Sequence, residues 1–422
     1  MTLHTKSRLF AATTALAGLL AFPALAADQP TVEVLHWWTS GGEAAAARAL
    51  KQDFEAHGGK WVDAPVAGGG GDAAMTVLRS RVLAGDPPGA VQLKGPAISN
   101  WAEEGVLADL DPVANAEKWN DKIPPVLQTV LKPEGNYVAV PVNIHRVNWL
   151  WANPAVLAKV GAEAPKTWDE FNATADKLKA AGIVPLAHGG QPWQDATVFE
   201  AVVLGIGGAD FYRKAIIEGD EDALTSDTMV QVFDQMRKIR GYVDPNFSGR
   251  EWNLSTAMVI NGQAAMQIMG DWAKGEFSAA GKVPGKDYLC AEVPGKPAYS
   301  LNSDSFAMFK VKDKNAQAGQ QLLAKLIMGD KFQEEFNLLK GSIPASTVVD
   351  LSKFDDCAKK SKADLEATQA EDALVLSFAH KMALPGNVEG AIVDVVTQHF
   401  NSDMSSADAV KKLAQAVKLS KG

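Results

Sequence analysis

The chain has 422 residues, with 41 Lys and Arg against 50 Asp and Glu, so its formal net charge is −9 at pH 7. This balance argues against a nucleic-acid-binding protein, which needs a basic surface to contact phosphates. A hydrophobic fraction of 47% and a charged fraction of 22% exclude a disordered chain, and the length suggests two or three domains of ~150 residues each. The sequence contains eleven Trp but only five Tyr. Each buried Trp needs a hydrogen-bond partner for its indole N–H group, so the positions of these residues are informative.

Residues 1–26 are predicted to be a signal peptide. Lys6 and Arg8 give a basic start, and the mostly apolar run 9–22 is too short to span a bilayer as a helix. Residues 23–26, Pro-Ala-Leu-Ala, end in the small-x-small pattern that precedes cleavage. The alternative is a buried N-terminal helix. Cleavage after Ala26 leaves 422 − 26 = 396 residues with a net charge of −9 − 2 = −11, and predicts export to the periplasm.

The next part of the chain alternates between strand and helix patterns, which predicts a largely parallel sheet covered by helices. Ser40 and Glu43 have the spacing of a capping box at the start of an alanine-rich helix. Met75, Leu78 and Leu83 are predicted to share the apolar side of a second helix. In chain order, the predicted elements are a strand at 31–38, a helix at 41–57, a strand at 61–67, a glycine loop at 68–71, a helix at 72–84 and a buried strand at 90–93.

The same alternation returns later in the chain, and its extent suggests two α/β lobes. Thr167 and Glu170 form a second predicted capping box. The predicted strands lie at 137–143, 264–269 and 306–311, and the predicted helices at 153–160, 167–181, 197–205, 316–328, 331–339, 388–399 and 407–419.

Cys290 and Cys357 are the only cysteines. An isolated pair in an oxidising compartment favours a disulfide, and two free buried thiols are the alternative. The absence of a CxxC motif argues against thiol exchange.

Motifs for cofactor or nucleophile chemistry are missing, so no cofactor, metal or catalytic residue is predicted. The glycines 68–71 lack the Gly-Lys-Ser/Thr ending of a P-loop and are expected to form a surface loop. The sequence contains no GxSxG and no HExxH motif. Scattered Asp and Glu residues leave a glycosidase open as the competing class, because two carboxylates suffice for that reaction.

Aromatic and polar residues stand where predicted strands end. Trp37 and Trp38 close the first strand, and ligands of open α/β sheets bind at the carboxyl ends of strands. An indole face suits the C–H groups of a sugar ring, and Glu43 offers an acceptor for hydroxyls. The alternatives are that both indoles pack in the core and that Glu43 only caps its helix. Trp272, after the strand at 264–269, is a second candidate, with coverage of a hydrophobic edge as its alternative.

Taken in order, these segments resemble the extracellular solute-binding proteins of family 1, the sugar-binding receptors of bacterial ABC importers. The Trp-Trp pair, the NIHR segment at 143–146 and FAHKMALPG at 378–386 are similar to the glucose-binding branch. The other matching segments are VEVLHWWTSGGE at 32–43, AGDPPGAVQLKG at 84–95, WAEEGVLADLDP at 101–112, YVAVPVNIHRVNWLWANPAVLAKVG at 137–161, APKTWDEFNATADKL at 164–178, NGQAAMQIMGDW at 261–272 and KGSIPAS at 340–346.

The resemblance implies a periplasmic-binding-protein fold, in which two α/β lobes joined by a hinge close on a ligand in the cleft between them. It places one lobe at 27–140 plus 303–348 and the other at 141–302 plus 349–422. It implies a monomer that is not an enzyme, binds a monosaccharide and delivers it to an inner-membrane ABC permease. The monosaccharide that the resemblance favours is D-glucose. Mannose, galactose, a polyol or an oligosaccharide remain alternative ligands, and docking on a chemoreceptor stays open.

The resemblance also carries a set of sugar contacts onto matching positions. Each has a simpler alternative: a solvated side chain for the two lysines, a packed histidine at position 380, and a cap or a brace of the hinge for Asp304. The eight other tryptophans are left with packing roles. The predicted contacts are Trp37, Trp38, Glu43, Lys94, His145, Trp272, Asn302, Asp304, Lys340 and His380.

Overall fold

The computed structural model describes residues 1–2 and 29–421. The predicted signal peptide, apart from Met1 and Thr2, lies outside the described residues, so its cleavage site stays a prediction. Among the described residues, no helix is both long and apolar enough to cross a membrane.

Strands and helices alternate along the described chain, and every predicted element is present with ends that differ by a few residues. The strands are β1 (Thr31–His36), β2 (Lys60–Pro65), β3 (Ala90–Leu93), β4 (Ala139–Pro141), β5 (His145–Arg146), β6 (Trp149–Ala152), β7 (Val184–Leu186), β8 (Ala264–Ile268), β9 (Leu289–Glu292), β10 (Tyr299–Asn302), β11 (Ser305–Met308) and β12 (Leu374–Leu376). The helices are α1 (Gly41–Ala56), α2 (Asp72–Leu83), α3 (Pro96–Glu103), α4 (Asp111–Ala116), α5 (Trp119–Lys122), α6 (Pro125–Leu131), α7 (Pro154–Ala158), α8 (Trp168–Ala180), α9 (Pro192–Gly207), α10 (Ala209–Tyr212), α11 (Glu221–Leu224), α12 (Asp227–Arg240), α13 (Trp252–Ile260), α14 (Ala273–Ala279), α15 (Lys314–Ile327), α16 (Asp330–Lys340), α17 (Asp356–Ala370), α18 (Gly386–Asn401) and α19 (Ser406–Lys421).

The strands form three sheets. The first has the order β2-β1-β3-β11-β4, in which β1 pairs in parallel with β2 and β3, and β11 is antiparallel to β3 and β4. All residues of β3 are buried, as expected for a strand with both faces covered. The second sheet has the order β7-β8-β6-β9, with β7 and β8 parallel and β6 antiparallel to both of its neighbours. The prediction of a largely parallel sheet therefore holds for the first sheet, with β11 as the exception.

Two main hydrophobic cores surround the first and second sheets, which gives the predicted pair of α/β lobes. Leu35, Val91 and Phe306 belong to the first core, whereas Phe199 and Met266 belong to the second. The chain leaves the first sheet after β4 and returns to it between β10 and β11. The third sheet, with the order β12-β10-β5, contains strands from both of these crossings.

The C-terminal part of the chain packs on both cores. Phe354, Ala358 and Leu365 join the first core, and the helices α18 and α19 pack on the second. Cys290 in β9 and Cys357 in α17 form a disulfide with a Cα–Cα distance of 5.9 Å, so the predicted pairing is confirmed.

The local helix signals had mixed outcomes. The capping box at Thr167 and Glu170 is confirmed: the Glu170 N–H donates to Thr167 Oγ1 at 3.2 Å, and the Thr167 N–H donates to Glu170 Oε2 at 3.3 Å. The capping box at Ser40 is wrong, because Glu43 turns to a distant lysine instead of the helix N-terminus. The predicted apolar side of α2 is wrong at Leu83, which is 89% exposed near the end of the helix.

Candidate ligand-binding cleft

A single cleft brings all the predicted contact residues together. They come from the ends of β1, β3, β10 and α16, from the start of α1, from β5 and from the segments after β8 and β12. Four further residues also line the cleft. The complete lining is Trp37, Trp38, Glu43, Gly69, Gly70, Lys94, His145, Trp193, Trp252, Trp272, Asn302, Asp304, Lys340 and His380.

The two adjacent indoles after β1 both reach the cleft, each beneath a lysine. The Lys94 ammonium lies 5.3 Å from the ring centroid of Trp37, and that of Lys340 lies 5.7 Å from the centroid of Trp38. Trp38 also packs edge-on against Phe306 at 5.5 Å. Trp38 therefore combines a core contact with a place in the cleft wall, and both lysines lie where a cation is attracted to an aromatic face.

Glu43 and Lys340 form a buried ion pair at the start of α1. Lys340 Nζ donates to Glu43 Oε1 at 2.6 Å, and Ser40 Oγ donates to Glu43 Oε2 at 3.1 Å. Only 2% of Lys340 and 9% of Glu43 are exposed. Neither residue is the solvated side chain or simple helix cap that the sequence alternatives allowed.

Asp304 is the centre of a second buried network. Its carboxylate accepts hydrogen bonds from Gln92 Nε2 at 3.0 Å and from Asn143 Nδ2 at 3.1 Å, and it lies 3.3 Å from Lys94 Nζ. Burial alone would raise the pKa of Asp304, but the Lys94 charge and the contact with His145 hold it well below its usual range. Asp304 is therefore ionised, and it both orients Lys94 and offers charge to a ligand.

His145 lies between two carboxylates from different parts of the chain. Its Nδ1 contacts Asp271, and its Nε2 lies 3.2 Å from Asp304 Oδ2 and 3.0 Å from Asn143 Nδ2. Burial alone would lower the pKa of His145, but Asp271 and the hydrogen bonds to both carboxylates raise it overall. Two acceptors facing the two ring nitrogens suit an imidazolium, which donates from both.

Trp272 and His380 form the opposite wall. The Trp272 ring lies 4.7 Å from His380 and 5.3 Å from His145, centroid to centroid. Burial, followed by the charges of Lys94 and His145, holds the pKa of His380 well below its usual range, so His380 is neutral. Asn302 Oδ1 is buried and has no hydrogen-bond partner among the described residues, which leaves an acceptor for a ligand hydroxyl.

The glycine segment at 68–71 is not the expected surface loop. Residues Gly69–Gly71 form a 3₁₀ turn that lines the cleft. A Cβ on Gly69 would lie 2.8 Å from Trp193 Cζ2, and one on Gly71, where φ is 86°, would lie 3.0 Å from Trp37. Only glycine allows the backbone to pass this close between two indoles.

The sequence predicted only packing roles for Trp193 and Trp252. Both belong to a hydrophobic cluster, and both also line the cleft. Each lies in the first turn of its helix, Trp193 in α9 and Trp252 in α13. The position of each tryptophan at the start of a helix was the only signal in the sequence. That position does not distinguish a tryptophan that lines the cleft from one that packs in the core.

Elements on the two sides of the cleft touch each other. The Gly42 N–H donates to Glu276 Oε1 at 2.8 Å, which joins α1 to α14. Lys381 pairs with Asp72 at the start of α2. The structure is thus a closed arrangement in which the cleft is bounded on both sides.

The charges in the cleft are paired. Lys94 faces Asp304, Lys340 faces Glu43, and His145 faces Asp271. Within residues 1–2 and 29–421, no group of three or more His, Cys, Asp or Glu side chains has the geometry to hold a metal ion. Such a cleft can hold a neutral polar ligand by stacking and by charge-assisted hydrogen bonds.

Two α/β lobes that enclose a cleft of indoles and paired charges define a two-domain ligand-binding protein. Residues 38–327 match the family described as bacterial extracellular solute-binding protein, and the chain belongs to that family. The chain is 53% identical over 423 residues to a probable sugar-binding periplasmic protein of Brucella melitensis biotype 1, covering 99% of this chain and 100% of the relative. This family consists of binding proteins, so the chain is not an enzyme and the glycosidase alternative is wrong.

Two solved structures share the fold. The bacterial solute receptor AcbH, described as having an exclusive preference for β-D-galactopyranose, has a TM-score of 0.79 at 20% identity and covers 92% of this chain and 98% of its own. A chitin oligosaccharide binding protein also has a TM-score of 0.79 at 20% identity, covering 94% of this chain and 100% of its own. These ligands range from one ring to several, so the likeness identifies the fold and leaves the ligand open.

Proposed function

We propose that the protein is a periplasmic receptor that binds a monosaccharide and delivers it to an inner-membrane ABC permease. Among monosaccharides, D-glucose is the ligand we expect. The observation that carries the proposal is an enclosed cleft with indole walls and paired charges. The contacts that join α1 to α14 and Lys381 to Asp72 bound the cleft on both sides, and an enclosed cleft favours one sugar ring over a chain. Mannose and galactose fit the same argument, because they differ from glucose only in hydroxyl orientation.

The predicted contacts have a physical role in this proposal. Trp37 and Trp272 offer indole surface to the C–H groups of the ring, and Asn302 Oδ1 accepts from a hydroxyl. The ion pairs of Lys94 with Asp304 and of Lys340 with Glu43 hydrogen-bond the remaining hydroxyls. Hydrogen bonds to charged groups contribute roughly 1.5–3 kcal/mol each, so a few suffice for tight binding.

The division into lobes is also part of the proposal. Lobes at 27–140 plus 303–348 and at 141–302 plus 349–422 are supported by the positions of β4 and β11, where the chain leaves and rejoins the first sheet. The contacts of Phe354 and Leu365 with the first core argue that the C-terminal segment spans both lobes. We also propose that residues 1–26 are removed on export and that the receptor is a monomer.

The test is calorimetry of the mature protein with glucose, mannose, galactose, maltose and a chitin oligosaccharide. We expect glucose to bind with a Kd of about 1 μM or tighter, which corresponds to about −8 kcal/mol. An absence of heat with every sugar would overturn the proposal. Binding of only the oligosaccharides would retain a sugar receptor and exclude the monosaccharide.

A further inference from the structure

Glu200 is a fully buried carboxylate that does not line the cleft. It lies in α9, is 0% exposed, and forms no ion pair with any described residue. An isolated buried carboxylate is costly unless hydrogen bonds compensate for the lost water. Its partners therefore indicate what the residue is for.

Both oxygens of Glu200 accept hydrogen bonds, chiefly from the segment that follows β12. Oε1 accepts from the Phe378 N–H at 2.8 Å, from the Ala379 N–H at 3.4 Å and from the Tyr212 hydroxyl in α10 at 2.8 Å. Oε2 accepts from Ser377 Oγ at 2.7 Å and from Ser300 Oγ in β10 at 2.8 Å. One side chain thus holds the turn at 377–379 against a strand that ends at the cleft.

This turn leads directly to His380. The His380 N–H donates to Ser377 Oγ at 3.1 Å, so Ser377 connects the carboxylate to the histidine backbone. One turn earlier in α9, Thr197 Oγ1 lies 3.1 Å from His380 Nε2 and donates to the Trp193 carbonyl at 2.8 Å. Because the hydroxyl proton is used on Trp193, Thr197 accepts from Nε2–H, which leaves His380 Nδ1 as an acceptor.

We propose that Glu200 is a positioning residue for ligand binding: it fixes the turn at 377–379 so that His380 stands at the required depth and orientation in the cleft. This inference rests on the proposed function, since His380 is taken there as a sugar contact. Two backbone N–H groups, two serine hydroxyls and the Tyr212 hydroxyl all donate to this carboxylate. A neutral amide would offer them only one acceptor oxygen. In a buried hydrogen-bond network, replacing one side chain weakens more than one hydrogen bond.

The test is a double-mutant cycle between Glu200→Gln and His380→Ala, read as glucose Kd by calorimetry. Glu200→Gln should weaken binding about tenfold when His380 is present and less than about twofold when it is alanine, because coupled neighbours are not additive. Glu170→Gln, the same substitution at an exposed position in the first turn of α8, is the control and should leave Kd unchanged. Circular dichroism and Tm establish that each variant is folded.

Ser377→Ala is the second variant, for use if Glu200→Gln does not fold. It removes the hydroxyl that joins Glu200 to the His380 backbone and should show the same dependence on His380. Unchanged affinity in folded Glu200→Gln or Ser377→Ala, or an equal loss with and without His380, would overturn the positioning role. A wild-type protein that binds no sugar would instead overturn the proposed function.

Discussion

Lysines and carboxylates in the cleft are matched within the protein before any ligand enters. Lys340 Nζ lies 2.6 Å from Glu43, and Lys94 Nζ lies 3.3 Å from Asp304. A neutral hydroxyl can form hydrogen bonds with these ion pairs without separating them. A charged ligand would have to bury its charge beside lysines and carboxylates that are already paired with each other. The charge pattern therefore favours neutral sugars.

D-Glucuronate, which carries a carboxylate in place of the primary alcohol of glucose, should bind roughly 100-fold more weakly than glucose, because an unpaired buried charge costs about 2–5 kcal/mol. Competition calorimetry against glucose measures the difference. Comparable affinities for the two sugars would mean that one of the cleft lysines is free to change partner.

Trp272→Ala should weaken glucose binding about tenfold or more while the protein stays folded. The change removes an indole that lines the cleft and packs on His380, and a buried aromatic anchor contributes on this scale. Calorimetry and Tm are the measurements. Trp101→Ala, which removes an indole that packs on Phe309 away from the cleft, is the matched control and should keep wild-type affinity. Unchanged affinity in Trp272→Ala would remove that indole from the site.

The pH dependence of stability tests the charge of His145. Its raised pKa means that the protonated ring stabilises the folded state. That contribution is complete below the unfolded pKa of ~6.5 and is lost as the pH rises through the folded value. The difference in free energy of unfolding between wild type and His145→Gln should therefore be largest near pH 6 and shrink at higher pH. An Asp271→Asn background should flatten this dependence, and a difference that grows with pH would contradict it.

At the scale of elements, closure depends on how near two helices approach across the cleft. A Cβ on Gly42 in α1 would lie 2.7 Å from the Gly275 backbone in α14. Gly42→Ala should thus raise the glucose Kd about tenfold without touching the sugar, because the closed form loses population and apparent affinity falls in proportion. Gly390→Ala in α18, where a Cβ meets nothing within 4 Å, is the control and should leave Kd unchanged. Equal affinities in the two variants would show that this approach is not needed.

Local patterns predicted the elements that local interactions determine. The buried strand β3 and the capping box of α8 depend on residues within a few positions of each other, and both were predicted correctly. The capping box at Ser40 failed because Lys340, 297 positions away from Glu43, takes the carboxylate. The strand β5 was missed, since its two residues carry too little periodicity to be recognised.

The candidate site was predicted mainly from a family resemblance, because its residues come from segments far apart in the sequence. Cleft residues such as Lys94 and His380 carry no local signal that separates them from solvated or packed side chains. Trp193 and Gly69 were missed for the same physical reason: each lines the cleft through contact with the other, across 124 positions from 69 to 193. A pattern read along one segment contains no information about a partner in the opposite lobe.

At the scale of the whole molecule, the closed cleft requires an open form. Trp38, Asp304 and Lys340 are each 2% exposed, so a sugar cannot reach them while Gly42 meets Glu276 and Lys381 meets Asp72. The chain crosses between the lobes near the short strands β5 and β10, where we expect any rotation of the lobes to be centred. A ligand that contacts both lobes then shifts the equilibrium towards the closed form.

Small-angle X-ray scattering should therefore give a smaller radius of gyration for the mature protein at saturating glucose than without sugar. Gly42→Ala should stay more extended than wild type at the same sugar concentration, because its helices cannot approach as closely. Gly390→Ala should follow wild type in both conditions. Scattering curves that coincide with and without glucose, in a sample that calorimetry shows to bind it, would mean that sugar enters by local movement of the turn at 69–71 and not by rotation of the lobes.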